Sequence, residues 1–176
     1  MTSPLKADKE LAAALGRMTG AWSHIEVLLT MLFMLLTRMP FILAAGIFDF
    51  FRNTHMQSRV LKRVAELGTV YNETNRALLK EVLGEYQALA DRRNELAHNP
   101  FGWSEPETLS GLYVMNKTQG KPGIDGIPYQ TRPVTVQEID QLTADIEMCQ
   151  IKLHGLISFA GRREGDPLPE LPEKFR

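Results

Sequence analysis

Apolar residues recur at steps of three and four along the N-terminal part of the chain, which is the spacing of one face of an α-helix. The pattern predicts a first helix from about Leu5 to Thr37. Its stripe consists of Leu11, Leu15, Met18, Trp22, Ile25, Leu29, Leu32 and Leu36. Toward the end of this helix further apolar residues surround the axis, namely Leu28, Met31, Phe33, Met34 and Leu35. Because a helix that is apolar all round must be covered on more than one side, the pattern predicts a second subunit as the simplest cover.

Two more helices are predicted within the first hundred residues. Pro40 suits the first turn of a second helix, which would reach Leu67 and end at Gly68. Its inward face would consist of Phe48, Phe51, Val60, Val64 and Leu67. A third helix is predicted from about Thr74 to His98, with a core stripe of Leu78, Val82, Tyr86 and Leu89. It should stop near His98 because the following residue precedes Pro100, and a residue before proline is disfavoured in a helix.

The segment between the third helix and the last one is different in character. Residues 100–134 contain the glycine- and proline-rich stretch NKTQGKPGIDGIP, which is typical of a loop. On either side of it, LYVM and IPYQT could pair as a short hairpin, with Pro128 at an edge position. Thr135 and Glu138 have the spacing of a capping box, and Gly161 is a suitable end for the fourth helix. That helix would bury Ile139, Leu142, Ile146, Cys149, Leu153, Leu156 and Ala160.

Taken together, these elements predict an all-α fold with a short β-hairpin insertion before the last helix. A chain of 176 residues is the size of one domain. We expect a single helical domain over residues 1–160, with the hairpin and loop insertion at about 101–134. Residues 161–176 form a tail too rich in proline to fold by itself.

Charge, cysteine content and apolar runs favour a soluble cytoplasmic protein. A net charge of −1 does not indicate a nucleic-acid or membrane partner, so any basic binding site must be a local cluster of cations. The lone Cys149 excludes an internal disulfide and fits a reducing compartment, and no secretory signal is predicted at the start. The apolar runs 27–37 and 39–48 are shorter than the roughly 20 residues of a spanning helix and are separated at Pro40. They predict two buried helices, with a membrane-associated hairpin over 25–51 as the alternative.

The stretch RRNELAHNPFGW, residues 92–103, carries the candidate chemistry. Asn94 and His98 are four residues apart and share a helix face. Arg93 starts on the buried side, in register with Leu89 and Tyr86, and its long stem can send the guanidinium toward the helix end. His98 lies in the last turn, where the helix dipole favours a cationic ring.

This set of side chains suits phosphate chemistry without a metal or a cofactor. Arginine offers a planar fork of donors that matches a phosphate, and histidine can transfer a proton near neutral pH. The reaction that fits is RNA cleavage by the neighbouring 2′-hydroxyl: His98 would move protons and Arg93 would stabilise the phosphorane. Asn94 could fix one histidine tautomer or hold the phosphate. The purely structural alternative is that Arg93 pairs with a buried Glu26 and that His98 contacts the last carbonyl groups of its helix.

A second cationic set lies on the second predicted helix. Arg52, Arg59 and Arg63 fall on one face with Lys62 beside them, and no acidic residue lies between Asp49 and Glu66. This set is interpreted either as a solvated face or as an RNA-binding stripe that contacts phosphates. The sequence contains no cluster of cysteine and histidine with zinc spacing and no glycine-rich phosphate loop after a strand, so neither a metal nor a cofactor is predicted.

RNELAH resembles the R-x4–6-H motif of the higher eukaryotes and prokaryotes nucleotide-binding (HEPN) domains, in which a polar residue such as Asn94 follows the arginine. WSHIEVLLTMLF is similar to the first helix of many such proteins, and the likeness of helix order covers roughly residues 10–160. The resemblance implies an up-and-down bundle of four to five helices that forms a homodimer. It also implies a metal-independent endoribonuclease, often a toxin of a toxin–antitoxin or phage-defence system with an antitoxin partner. Arg93 and His98 would then line a cleft shared by two subunits, with Asn94 as the polar auxiliary.

One position departs from this family. A branch of it carries a tyrosine two residues after the histidine, which a partner nucleotidyltransferase modifies, and Pro100 stands there in this chain. The resemblance therefore does not extend to that mode of regulation. Some HEPN-like proteins keep the fold with no known cleavage activity, which leaves a non-catalytic RNA- or protein-binding module as the alternative function.

Overall fold

The computed structural model describes residues 9–51, 53–98, 101–103, 112–117 and 129–161, and the side chains among these except at 98, 101–103, 112–117 and 129–132. Most of the described residues are helical, as the all-α prediction requires. In chain order the elements are α1 (Lys9–Thr37), α2 (Phe41–Phe48), α3 (Thr54–Leu67), α4 (Glu73–His98), β1 (Phe101–Trp103), β2 (Leu112–Lys117), β3 (Tyr129–Val134) and α5 (Val136–Ala160).

The chain forms two compact units. The first unit consists of Met1–His24 and Tyr86–Met148, and the second consists of Ile25–Glu85 and Cys149–Arg176. The boundaries between them lie within α1, α4 and α5. The single domain over residues 1–160 stays a prediction, and residues 162–176 of the predicted tail lie outside the described residues.

Helix α1 buries the stripe that its periodicity predicts. Every member of that stripe is buried except Leu15, which is half-buried. The predicted start near Leu5 lies outside the described residues. The helix ends at Thr37 because the next residue, Arg38, takes a left-handed conformation with φ 56° and Pro40 cannot continue the ladder of hydrogen bonds.

The second predicted helix is two helices, so the expectation of one helix from Pro40 to Leu67 is wrong. Asn53 is extended, with φ −112° and ψ 145°, and its Oδ1 accepts a hydrogen bond of 2.7 Å from the backbone N–H of Met56. An asparagine in this position satisfies one of the unpaired donors at a helix start. The chain therefore leaves the helical conformation after α2 and begins α3 anew at Thr54.

The predicted inward face of this region is also wrong beyond Phe48. Leu67 is 70% exposed, and Phe51, Val60 and Val64 are only half-buried. The residues that α3 buries are Ser58, Leu61 and Ala65. Because the helix is interrupted at Asn53, the buried face of α3 cannot be extrapolated from that of α2. The predicted stripe therefore does not match the residues that α3 buries.

The ends of α4 and α5 follow the local signals in the sequence. Helix α4 ends at His98, as the proline rule predicts. Before α5, the Thr135 Oγ1 accepts a hydrogen bond of 3.1 Å from the N–H of Glu138, which confirms the predicted cap. Helix α5 ends before Gly161 and buries its whole predicted stripe except the half-buried Ala160.

The predicted hairpin exists within a three-stranded antiparallel sheet of order β1-β2-β3. Strands β2 and β3 pair from Leu112 opposite Val134 to Lys117 opposite Tyr129. Strand β1 was not predicted, because three residues are too few for an alternating pattern to be recognised. Pro128 lies outside the described residues, whereas Pro133 lies on the edge strand β3, where a missing N–H is tolerated.

The apolar runs differ in how well they are covered. On α1, Leu28 and Phe33 are buried and Met31, Met34 and Leu35 are half-buried, so the chain itself covers much of the expected surplus. Helix α2 was expected to be buried, but only Ala44 and Phe48 are. Large exposed side chains lie in its first turn and just after its end: Phe41 (50%), Ile42 (87%), Leu43 (53%) and Phe50 (85%). We call these four residues the α2 apolar patch.

Helix α1 meets the length and composition of a membrane-spanning helix, and no other helix among the described residues does. A core helix of a soluble protein meets the same criteria.

Candidate functional site

Arg93 lies on the inner side of α4, near the end of the helix. It is half-buried and in register with the buried Leu89 and Tyr86. Its Cζ atom lies 5.7 Å from the centroid of the Trp22 ring on α1. This is the range in which a guanidinium is attracted by the negative face of an aromatic ring. Within the first unit, the guanidinium of Arg93 thus lies over the ring of a residue distant in sequence.

Trp22 is itself held by a second aromatic ring. Its ring and that of Tyr86 are stacked, with centroids 5.3 Å apart and planes 14° apart, and the two residues are 3% and 1% exposed. Tyr86 and Arg93 are about two turns, or roughly 10.5 Å, apart along α4. The Trp22 ring lies 5.3 Å from the Tyr86 ring and 5.7 Å from the Arg93 Cζ, so a single indole spans the space between these two side chains. We call Tyr86, Trp22 and Arg93 the Trp22 stack.

Asn94 extends the stack to the surface. It is exposed, and its Oδ1 accepts a hydrogen bond of 3.2 Å from the Arg93 Nη1. The amide nitrogen carries the two hydrogen-bond donors of Asn94. The structure therefore brings Arg93 and Asn94 together. His98 ends α4, and its side chain lies outside the described residues, so its convergence with Arg93 stays a prediction.

The structural alternative for Arg93 assumed a buried carboxylate. Glu26 is exposed on α1, so it is not a buried carboxylate, and its pairing with Arg93 stays a prediction. Two of the contacts of Arg93 are the aromatic face of Trp22 and the amide oxygen of Asn94. The sequence pattern had placed Trp22 only in the core of α1; its spacing gives no signal that it meets Arg93.

Two arginine–aspartate pairs tie the helices of the first unit to α5. Arg17 on α1 donates to Asp140 at 2.6 Å, and Arg92, the neighbour of Arg93, donates to Asp145 Oδ2 at 2.6 Å. Gln141 donates to the other oxygen of Asp145 at 2.9 Å. Burial opposes the charge of Asp145, but the hydrogen bonds from Arg92 and Gln141 outweigh it and lower the pKa of the carboxyl group below its usual value. Arg92 and Arg93 thus have different partners although they are adjacent.

The basic residues of α3 form a face in the second unit. Arg59 and Arg63 are exposed and Lys62 is half-buried. The Arg63 Nη1 lies 3.5 Å from Glu66 Oε2, which also has Lys80 as a partner at 3.6 Å. Neither Arg59 nor Lys62 has an ion-pair partner among the residues that the structure describes. Arg52, which was predicted to belong to this face, lies outside them.

The other groups considered for chemistry are the Cys149 thiol and possible clusters of metal ligands. Burial, with a contribution from Glu85, raises the pKa of the Cys149 thiol to about 12, so this thiol is protonated at neutral pH. It is 1% exposed and packs in α5, as predicted. Within the described part of the chain, no three side chains of histidine, cysteine, aspartate or glutamate come together as metal ligands.

The chain matches no protein-family model, no curated protein and no solved structure.

Replacing Arg92 with Gln should make the fold less dependent on the charge of Asp145. Because the pKa of Asp145 is lower in the folded chain, its ionised form contributes stability above about pH 4, and this contribution is lost as the pH falls through the folded pKa. We expect wild type to have a higher Tm than R92Q at neutral pH, and the difference to vanish in acid. Thermal unfolding followed by circular dichroism across this range measures it. In a D145N background, R92Q should have no such effect; a difference in Tm that is the same at every pH would contradict the assignment.

Proposed function

We propose that this chain is a homodimeric, metal-independent endoribonuclease of the HEPN type that acts in the cytoplasm, with Arg93 and His98 as its catalytic residues and Asn94 as an auxiliary. The observation that carries this proposal is the position of Arg93. Its guanidinium is held over Trp22 and bonded to Asn94, about 7.5 Å along the helix axis before His98, the last residue of α4. A cation fixed this close to a histidine at a helix end suits a phosphate group.

The reaction transfers a phosphoryl group within the RNA strand. In the first half, His98 takes the proton of the 2′-hydroxyl and the 2′-oxygen forms a bond to phosphorus. The bond between phosphorus and the 5′-oxygen then breaks, and a protonated histidine returns a proton to that oxygen. Arg93 would stabilise the charge that accumulates on the phosphorane, and the amide nitrogen of Asn94 would donate to one of its oxygens. The products are a 2′,3′-cyclic phosphate and a 5′-hydroxyl end.

Purified chain should cut RNA in the presence of a chelator and leave 2′,3′-cyclic phosphate ends. His98→Ala and Arg93→Gln should each lower kcat by about a hundredfold or more, because a proton-transfer group or a transition-state donor is lost. Total cellular RNA is a suitable first substrate, with cleavage followed by electrophoresis and end-group analysis.

The matched control is Arg92→Gln, which removes the adjacent arginine from its pair with Asp145 and should leave kcat near the wild-type value. Intact RNA after incubation with folded wild-type protein would refute the enzymatic proposal. Equal losses in R92Q and R93Q would contradict the assignment of Arg93.

The second candidate is a non-catalytic RNA- or protein-binding module of the same fold. The exposed side chains of the α2 apolar patch suit a protein partner of another kind as well as a second copy of the chain, so they support this candidate too. In this case RNA or a protein would be bound without turnover, and His98→Ala would change neither. If the chain is the toxin of a toxin–antitoxin pair, an antitoxin protein is the expected partner.

The basic face of α3 supplies the proposed contact with the RNA backbone. Reversing the charge of Arg59 and Lys62 to Glu should weaken RNA binding and make the affinity less dependent on salt, because fewer counterions are released. Fluorescence anisotropy at several salt concentrations measures both quantities. Lys9→Glu is the control for the charge change, since Lys9 is exposed at the start of α1 and outside this face. An unchanged salt slope in R59E/K62E would identify this face as merely solvated.

The α2 apolar patch supplies the proposed contact between two copies of the chain. Wild type should sediment at twice the mass of one chain, and Ile42→Glu combined with Phe50→Glu should sediment as a monomer, because a buried carboxylate without a partner is costly. Leu67→Glu is the control, because Leu67 is also exposed but lies at the end of α3. A wild-type monomer would remove the dimer from the proposal, and a double variant that stays dimeric would place the interface elsewhere.

A further inference from the structure

We infer that two copies of the chain pair through the α2 apolar patch with their α2 helices antiparallel, so that the helices cross at Gly46 and Arg38 of each copy meets Asp49 of the other. This inference rests on the homodimer of the proposed function and names the residues and the geometry of its contact. Three features of α2 carry it: the symmetry of its outward face, an exposed glycine at the centre of that face, and opposite charges at the two ends.

The outward face of α2 is symmetric about Gly46. Ala44 and Phe48 are buried on the inner side of the helix. On the opposite side lie Ile42, Gly46 and Phe50, four residues apart, and they share one stripe because the backbone keeps helical angles (φ −63°, ψ −23°) at the residue before Phe50. Ile42 and Phe50 are 87% and 85% exposed. When two such helices lie antiparallel across Gly46, Ile42 of one copy faces Phe50 of the other, and both side chains leave water.

Gly46 has no role within one chain that only glycine can fill. It is exposed, and a Cβ atom added there would meet no heavy atom within 4 Å apart from the adjacent helix backbone. A glycine inside a helix destabilises the helix relative to alanine, whereas close approach of a second backbone favours glycine. Gly84 on α4 is equally open, but its neighbours on the helix surface are the charged Lys80 and Glu81, so only Gly46 lies among exposed apolar side chains.

Charges of opposite sign flank this face. Arg38 precedes α2 and Asp49 follows it; both are exposed, and neither has an ion-pair partner among the residues that the structure describes. Arg38 also follows the end of α1, where the helix dipole favours a cation. Asp49 has no such local reason, because it is the C-cap of α2, where the helix dipole disfavours an anion.

An antiparallel pair of helices uses each of these charges once. The start of one α2 then lies beside the end of the other, so that two Arg38–Asp49 pairs form across a two-fold axis, as in any isologous contact. A parallel arrangement would bring like charges together. An anionic membrane surface would attract Arg38 but repel Asp49, so the face is complementary to its own copy and not to such a lipid surface.

Charge reversal followed by mixing tests the reciprocal pairing. Arg38→Glu and Asp49→Arg should each raise the dimer Kd about tenfold or more in sedimentation equilibrium, because like charges then meet twice in each dimer. An equimolar mixture of the two variants should form a heterodimer with nearly the wild-type Kd, since every pair in it joins opposite charges. Rescue in the mixture cannot arise within one chain. Lys9→Glu makes the same charge change as R38E in the other unit and should leave Kd unchanged.

The reciprocal pairing would be overturned by single variants that keep the wild-type Kd, or by a mixture that associates no more tightly than either variant alone. A wild-type chain that stays monomeric, whether free or bound to vesicles of anionic phospholipid, would also overturn it and would assign the α2 apolar patch to another partner.

Cysteine cross-linking tests the crossing point. A residue on a two-fold axis meets its own copy, so Gly46→Cys should form a disulfide-linked dimer under mild oxidation. The natural Cys149 is 1% exposed and does not compete. Gly84→Cys is the matched control, since it places a cysteine at an equally open helical position of the same unit, and it should remain a single chain on a non-reducing gel. Equal cross-linking of the two variants would indicate random collision and overturn the crossing at Gly46.

These readouts need no RNA, so they separate this inference from the nuclease proposal. A dimer with these properties that cuts no RNA would refute the proposed cleavage but keep the inference. A dimeric nuclease that is insensitive to substitutions at Arg38, Asp49 and Gly46 would keep the proposed function and place the contact elsewhere. All three residues are exposed, so circular dichroism should show the wild-type helix content in every variant.

Discussion

Burial of one face of α1 is the constraint on which the rest of the structure depends. The helix contributes buried residues to both compact units, from Leu11 in the first to Leu36 in the second. Each such side chain stabilises the fold by about 1.5–3 kcal/mol through removal from water. Trp22 lies in this stripe, so the same packing that stabilises the helix also fixes an aromatic face inside the first unit. The candidate site is therefore built on the core and not on a loop.

The adjacent residues Arg92 and Arg93, near the end of α4, have different surroundings. Arg92 donates to Asp145 on α5, and this ion pair is partly open to solvent. Arg93 is half-buried against an aromatic face, with an amide oxygen as its hydrogen-bond partner.

The two units present different surfaces. The first unit contains the RNELAH motif and the Trp22 stack, whereas the second contains the α2 apolar patch and the basic face of α3. Exposed side chains such as Ile42 and Phe50 suit a protein contact, and cations such as Arg59 suit a phosphate backbone. The proposed dimeric nuclease would use all three kinds of surface. None of them depends on the net charge of the chain, which is close to zero.

Local rules in the sequence determined the elements whose signals are themselves local. Periodicity predicted the buried stripe of α1, the proline after Asn99 predicted the end of α4, and Thr135 with Gly161 predicted both ends of α5, because caps and steric limits act over a few residues. Tertiary structure decided the rest. The cap at Asn53 begins α3 anew, so the buried face of α3 does not continue that of α2. Strand β1 is defined by its pairing with β2. The contact between Arg93 and Trp22 joins two residues that no spacing rule connects. Packing brings residues together that are distant in the sequence. In a single sequence, the two residues of such a contact are only separate apolar or charged positions, with nothing to connect them.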